Sequence, residues 1–163
     1  MRKLKIQHFL LFLFLVGCSL GSTNLIKTSS RSDMSSERRA VVKEVQHLLD
    51  IPYRYGGKDK RGFDCAGLTQ YVFKSIEMSL PPSAELQSRL GKEIKLEQVN
   101  PGDLLYFKRS KLGRVFHVSL VIAHDDEGIK VIHSTSAGVT LDNISNSKYW
   151  SSKVIGARDI LSN

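Results

Sequence analysis

Two cysteines and five histidines are the side chains in this chain best suited to nucleophilic attack and proton transfer. Cys65 lies in the stretch "GFDCAGLTQYV", where a glycine-flanked turn leads into what reads as the first turn of a helix, with Asp64 as its N-cap. A free thiol ionises near pH 8.5 and attacks poorly until it does. Unpaired N–H groups and the positive dipole end of a helix N-terminus favour the thiolate, and such cysteines reach pKa values of roughly 3.5 to 7.5. On its own a free cysteine is more often a small buried hydrophobe. The histidines shift that balance. His117 sits inside the alternating run "VFHVSLVIA", and His133 follows sixteen residues later in "IKVIHST". If the two runs form one hairpin, the two rings become neighbours, one as a base for Cys65 and the other fixing its orientation and tautomer. His47 reads as a surface or packing residue and His124 as part of an exposed turn. One Cys and two His would suit an open zinc site, but no close-spaced ligand pair accompanies them, so neither a metal nor a cofactor is expected.

The elements that must position these groups follow from the apolar periodicity. Residues 37–49 predict a helix with Val41, Val45, Leu48 and Leu49 on one face, Ser36 as N-cap and Pro52 beyond its end. A second helix is expected over 65–78, with Leu68, Tyr71, Val72 and Ile76 facing inward, and Ser83 starts a short third one. Beyond Gly91 the period becomes two. "NPGDLLYF" is a turn entering a strand, and in "VFHVSLVIA" the residues Phe116, Val118, Leu120 and Ile122 share one face while His117 points the other way. "DDEG" makes a turn, and "IKVIHST", "GVTLDNI" and "KVIGARDIL" supply further strands. Helices first and strands afterwards imply an α+β domain, its N-terminal helices packed on one face of a mostly antiparallel β-sheet.

The N-terminus has a different character. Arg2, Lys3 and Lys5 precede the apolar run "FLLFLFLV" at 9–16, which is shorter than the roughly 20 residues a membrane span needs and reads as the core of a signal peptide. It ends in "LVGC", similar to the lipobox of bacterial lipoproteins. That resemblance implies removal of residues 1–17 and acylation of Cys18, which would leave Cys65 without a disulfide partner. Residues 18–36 are rich in serine and poor in apolar side chains, as expected of a tether with a reach of roughly 24 Å. The domain proper is then 37–163. The chain carries a net charge of +8; with three cations in the leader, the exported part keeps +5. Anionic lipid head groups or carboxylate-bearing cell-wall peptides fit that charge and setting better than nucleic acid.

Taken in order, the motifs of 51–161 resemble the NlpC-type family of papain-like cysteine peptidases, which cleave bacterial cell-wall peptides. "YRYGG" and "GFDCAGL" are similar to its tyrosine–glycine loop and Asp-Cys helix start. "LPPSAELQSRLG", "PGDLLYF", "HVSLVI", "VIHSTSAGV" and "YWSSKVIGARDIL" follow in family order. The resemblance implies a papain-like fold with Cys65 as nucleophile, His117 as general base and acid, and His133 orienting His117. It also implies that the Tyr53 hydroxyl and the Cys65 backbone N–H stabilise the oxyanion, and that Asp64 helps hold a substrate amine. Three positions depart from the family pattern: Ala66 for serine, Pro82 for arginine and Ser119 for glycine. Ser119 is expected to narrow the cleft. The hairpin between the histidines is longer than in related family members by an even number of residues, so His133 is expected to keep its face.

The function that follows is a lipid-anchored peptidoglycan endopeptidase, working on stem peptides or cross-links through a thioester and held at the membrane by Cys18. Ser19 after the acylated cysteine resembles outer-membrane sorting, which places it in a Gram-negative periplasm; in a Gram-positive cell the same anchor would sit on the outer face of the cell membrane. The alternatives are a peptidoglycan-binding or scaffold lipoprotein that keeps the fold without activity, and an acyltransferase or amidase on the same scaffold.

Overall fold

The computed structural model describes residues 34–162. Cys18, the signal segment and nearly all of the expected tether lie outside that range.

Helix α1 spans Ser36–Gln46 and is capped by Ser35, whose Oγ accepts the Arg38 N–H at 3.3 Å, one residue earlier than expected. It also ends earlier. His47 N–H turns back to Glu44, and Asp50 takes a positive φ of 66°, leaving Leu49 37% exposed. The inward face is Arg38, Val41 and Val45, with Leu48 following in the turn. Strands β1 (Lys58–Asp59) and β2 (Gly62–Phe63) form a small hairpin leading directly into α2, Cys65–Lys74. Helix α2 stops four residues before the expected end. Glu77 adopts a left-handed φ of 61°, Met78 N–H bonds to Phe73 O, and Glu77 N–H bonds to Lys74 O. This is a Schellman closure without the glycine that would have announced it. Ser83 caps the short α3, Ala84–Gln87, as expected.

The strands that follow are β3 (Lys92–Ile94), β4 (Leu104–Lys108), β5 (Val115–Asp125), β6 (Gly128–Thr135), β7 (Gly138–Asn143) and β8 (Val154–Asp159), with helix α4 at Lys148–Ser151. They make one six-stranded sheet in the order β3-β8-β4-β5-β6-β7, antiparallel at every junction. The helices pack on one face: Val41, Val45, Leu68, Val72 and Phe73 meet Leu104, Tyr106, Val118, Leu120 and Ile132. The opposite face is buried too, which the sequence pattern did not anticipate. Leu105, Phe107, Val121 and Val131 pack there beneath Ile144 and Trp150 from the segment between β7 and β8. Phe116 also belongs to this second face, contrary to the simple alternation. A register shift lies between the pairs Phe107–His117 and Lys108–Val115, so Phe116 is an extra residue on β5. A bulge of this kind turns the side chains before it to the other face.

Candidate active site

The site is built where two neighbouring strands part. β5 and β6 pair from Asp125–Gly128, next to their turn, up to Leu120–Ile132. Beyond that point β5 stays with β4 and β6 stays with β7. Into the opening comes the β2–α2 junction. Ser134 Oγ on β6 donates to Phe63 O at 2.7 Å, and the Val118 N–H of β5 is near enough to favour the Cys65 thiolate. Cys65 as a residue is half-buried.

The turn that delivers Cys65 is held by a close approach of two glycines. Asp64 N–H donates to Gly57 O at 2.9 Å, and an added Cβ on Gly67 would lie 2.0 Å from that same carbonyl oxygen. Only a residue without a side chain lets the "YGG" loop pack against the first turn of α2. Asp64 does cap α2: its Oδ1 accepts the Gly67 N–H at 2.6 Å, and its Oδ2 accepts the Gly56 N–H at 3.0 Å. Both oxygens expected to serve a substrate amine are thus engaged by backbone, and this carboxylate first of all positions the loop and the helix start.

Tyr53 runs beside β2 through a parallel bridge to Phe63, two residues before Cys65. Burial raises its phenol pKa, and the neighbouring Asp64 and Cys65 charges raise it further. The residue is 43% exposed. The three departures from the family pattern fall in different surroundings. Ala66 is buried and Pro82 is exposed. Ser119 is fully enclosed within the sheet with its hydroxyl unpartnered, so it does not line an open cleft.

His117 and His133 project from the face opposite the helices, and their rings meet across the opening. His117 Nε2 lies 3.0 Å from His133 Nδ1. The second nitrogen of His133 is also engaged: Nε2 lies 2.7 Å from Asp142 Oδ2 on β7. Asp142 pairs with Val131, two residues from His133, and so is a diagonal neighbour on the same face. Trp150 stacks on the His117 ring at a centroid distance of 4.7 Å, with Phe107 at 5.5 Å on another side. Neither Asp142 nor Trp150 was singled out from the sequence. An acidic residue in a strand reads as solvent-facing until the β6–β7 register is known, and Trp150 arrives from a separate short helix.

Burial lowers the His117 pKa to about 3, and His133 adds to the effect. Burial lowers His133 as well, against an opposing pull from Asp142. Burial pushes the Cys65 thiol up, and the Asp64 charge adds to this, although the Val118 and Ala66 N–H groups and its own N–H favour the thiolate. The helix N-terminus thus acts in the expected direction but is outweighed. Burial thus favours the un-ionised thiol at Cys65 and the neutral imidazole at His117.

Residues 50–159 match the model of the NlpC/P60 family. The chain is 42% identical over 135 residues to the gamma-DL-glutamyl hydrolase of Bacillus subtilis, covering 80% of this chain but 31% of that protein. It is 34% identical over 148 residues to the murein DD-endopeptidase MepS/murein LD-carboxypeptidase of Escherichia coli K12, covering 83% of this chain and 75% of that one. A crystal structure of an NlpC/P60 family protein from Bacillus cereus superposes with a TM-score of 0.70 at 30% identity, over 77% of this chain and 40% of the other. Sequence motifs, an antiparallel sheet bearing two joined histidines, and a cysteine at a helix start thus agree with a match over most of the chain, which belongs to the NlpC/P60 family of cysteine peptidases.

Proposed function

We propose that this protein is a lipid-anchored cell-wall endopeptidase that hydrolyses amide bonds of peptidoglycan stem peptides or cross-links through a Cys65 thioester. The observation that carries the reading is the pair of joined rings, His117 Nε2 to His133 Nδ1 at 3.0 Å, on the strands that Ser134 ties to the β2–α2 junction bearing Cys65. With Nε2 committed to His133, Nδ1 of His117 is the nitrogen left to serve the thiol.

The reaction proceeds by acyl transfer. The Cys65 proton passes to His117 Nδ1 as sulfur bonds to the substrate carbonyl carbon, and Tyr53 Oη–H and the Cys65 N–H stabilise the developing oxyanion, a contribution that reaches about 3–4 kcal/mol elsewhere. Collapse breaks the C–N bond, and His117 returns the proton to the departing amine. Water, deprotonated by the same ring, then hydrolyses the thioester, releasing the new carboxyl group and restoring the thiol. A neutral base beside an un-ionised thiol suits this shuttle, because the proton moves only when a carbonyl is in place.

The name of one relative, a murein DD-endopeptidase and LD-carboxypeptidase, supports a cell-wall peptide substrate, and that of the other, a gamma-DL-glutamyl hydrolase, supports hydrolysis of a glutamyl bond. The lipobox-like "LVGC", with Ser19 next in line, supports acylation of Cys18 and an outer-membrane position facing the periplasm.

The test is to incubate the purified full chain, and its Cys65→Ala variant, with disaccharide-peptide monomers and cross-linked dimers and to weigh the products. The wild type is expected to convert dimers to monomers or to shorten the stems, and which of the two occurs identifies the bond. The variant is expected to leave both intact. Intact dimers and stems with the wild type would overturn the hydrolase reading.

A further inference from the structure

The Asp142 contact extends the chain of groups behind Cys65 by one member, from Asp142 Oδ2 to His133 Nε2 at 2.7 Å, and from His133 Nδ1 to His117 Nε2 at 3.0 Å. A carboxylate can only accept hydrogen bonds, whereas a neutral imidazole carries one N–H and one lone pair. With both rings neutral, as their burial favours, these two rules fix every proton in the line. Asp142 requires the hydrogen of His133 on Nε2, so His133 Nδ1 is an acceptor. His117 must then donate from its own Nε2, which leaves a lone pair on Nδ1.

We propose that Asp142 is a positioning residue that sets the tautomers of both histidines, so that His117 presents an unprotonated Nδ1 to Cys65. The proposal rests on the reading of Cys65 and His117 as the reacting pair. The surroundings suit the role. His133 is fully buried, so no solvent competes for its ring nitrogens, while the Asp142 side chain is 40% exposed and placed by the β6–β7 register alone. Without the carboxylate, His133 is free to carry its hydrogen on Nδ1 and donate to His117 Nε2. That forces the His117 hydrogen onto Nδ1, where it blocks acceptance of the thiol proton. An aspartate bonded directly to a catalytic histidine governs about 10⁴-fold in rate, whereas carboxylates bonded to metal-ligating histidines, one step out from the reacting centre, typically govern about 10- to 100-fold. Asp142 acts through an intervening ring, so the smaller range applies.

The experiment uses full-length protein labelled with ¹⁵N-histidine. Long-range ¹H–¹⁵N spectra of the wild type, Asp142→Ala and Asp142→Glu are compared with kcat and KM on a stem-peptide substrate. Both rings are expected in the Nε2–H form in the wild type. In Asp142→Ala, His117 is expected to shift toward Nδ1–H, with kcat falling about 10- to 100-fold and KM changing less than about twofold. Asp142→Glu is expected to restore the Nε2–H pattern and most of kcat. The same spectra show whether each variant is folded, and the glutamate variant retains a readout should the alanine variant unfold. Wild-type tautomers in Asp142→Ala, or a loss of kcat without a change of tautomer, would overturn the proposal. If the wild type cleaves no peptide yet the tautomers shift as expected, the Asp142 assignment stands and the peptidase reading fails.

Discussion

His117 commits one ring nitrogen to His133 and keeps the other, and its burial between Trp150 and Phe107 holds it neutral well below the ordinary imidazole value of 6.5. Burial keeps the thiol protonated to above its usual value. Both shifts widen the pH range over which the thiol–imidazole pair exists. A base whose pKa is lowered stays competent as the pH falls, and an acid whose pKa is raised keeps its proton as the pH rises. The kcat/KM profile, which reports the free enzyme, is therefore expected to be a plateau through neutral pH, with its acid limb well below 6.5. The rate of iodoacetamide labelling of Cys65 should climb only in the alkaline range. An acid limb near 6.5, or fast labelling below neutral pH, would show a thiolate–imidazolium pair instead. Helix-start cysteine and strand histidines were legible because residue type and local pattern mark them: Asp64 caps visibly, and alternation sets His117 apart from Val118 and Leu120. Asp142 was not legible, because its part depends on which residue of another strand it faces.

Among the elements, the β2–α2 junction has the least tolerance. The Gly57 carbonyl is at once the acceptor for Asp64 N–H and the atom that a Gly67 side chain would strike. Gly67→Ala must push the loop from the helix start, and that loop carries Tyr53 upstream of its glycines. A misplacement of about 1 Å at such a site costs roughly 10²-fold in rate. The expected result is a loss of about that size in kcat/KM with the circular dichroism spectrum retained; wild-type activity would mean that the loop and the helix start are not coupled. Element ends were the least legible part of the fold. Helix α2 closes on Glu77 in a conformation usually given to glycine, and Phe116 changes face at a bulge that no side chain announces.

For the described fold as a whole, one buried cation joins its beginning to its end. Arg38 of α1 donates to Asp103 Oδ1 and pairs with Asp159 at the close of β8, each at 2.7 Å, and to the Pro101 carbonyl at 2.9 Å. Asp103 is fully buried, and burial raises its carboxyl pKa despite the guanidinium. Removing one partner of such a group leaves the others unpaired in the interior, at a cost of about 3–5 kcal/mol. Arg38→Ala is therefore expected to lower the urea midpoint by that equivalent, measured on the full chain, whereas Arg61→Ala, on an exposed pair with Asp59, should change it little. Equal midpoints would show that the link contributes nothing. Sequence periodicity placed Arg38 on a helix, but the apolar pattern gave no reason to expect an arginine on its inward face.

The turn joining β5 to β6 lies at the far end of the paired ribbon from the two imidazoles. Residues gained or lost there in twos lengthen or shorten the ribbon like rungs on a ladder and leave the rings abreast. A single added residue must be taken up along the way, and the ribbon already holds one such kink, between Val121 and Ala123. The outer tip is thus a place where the molecule can change its reach or its contacts while the reacting groups stay where they are.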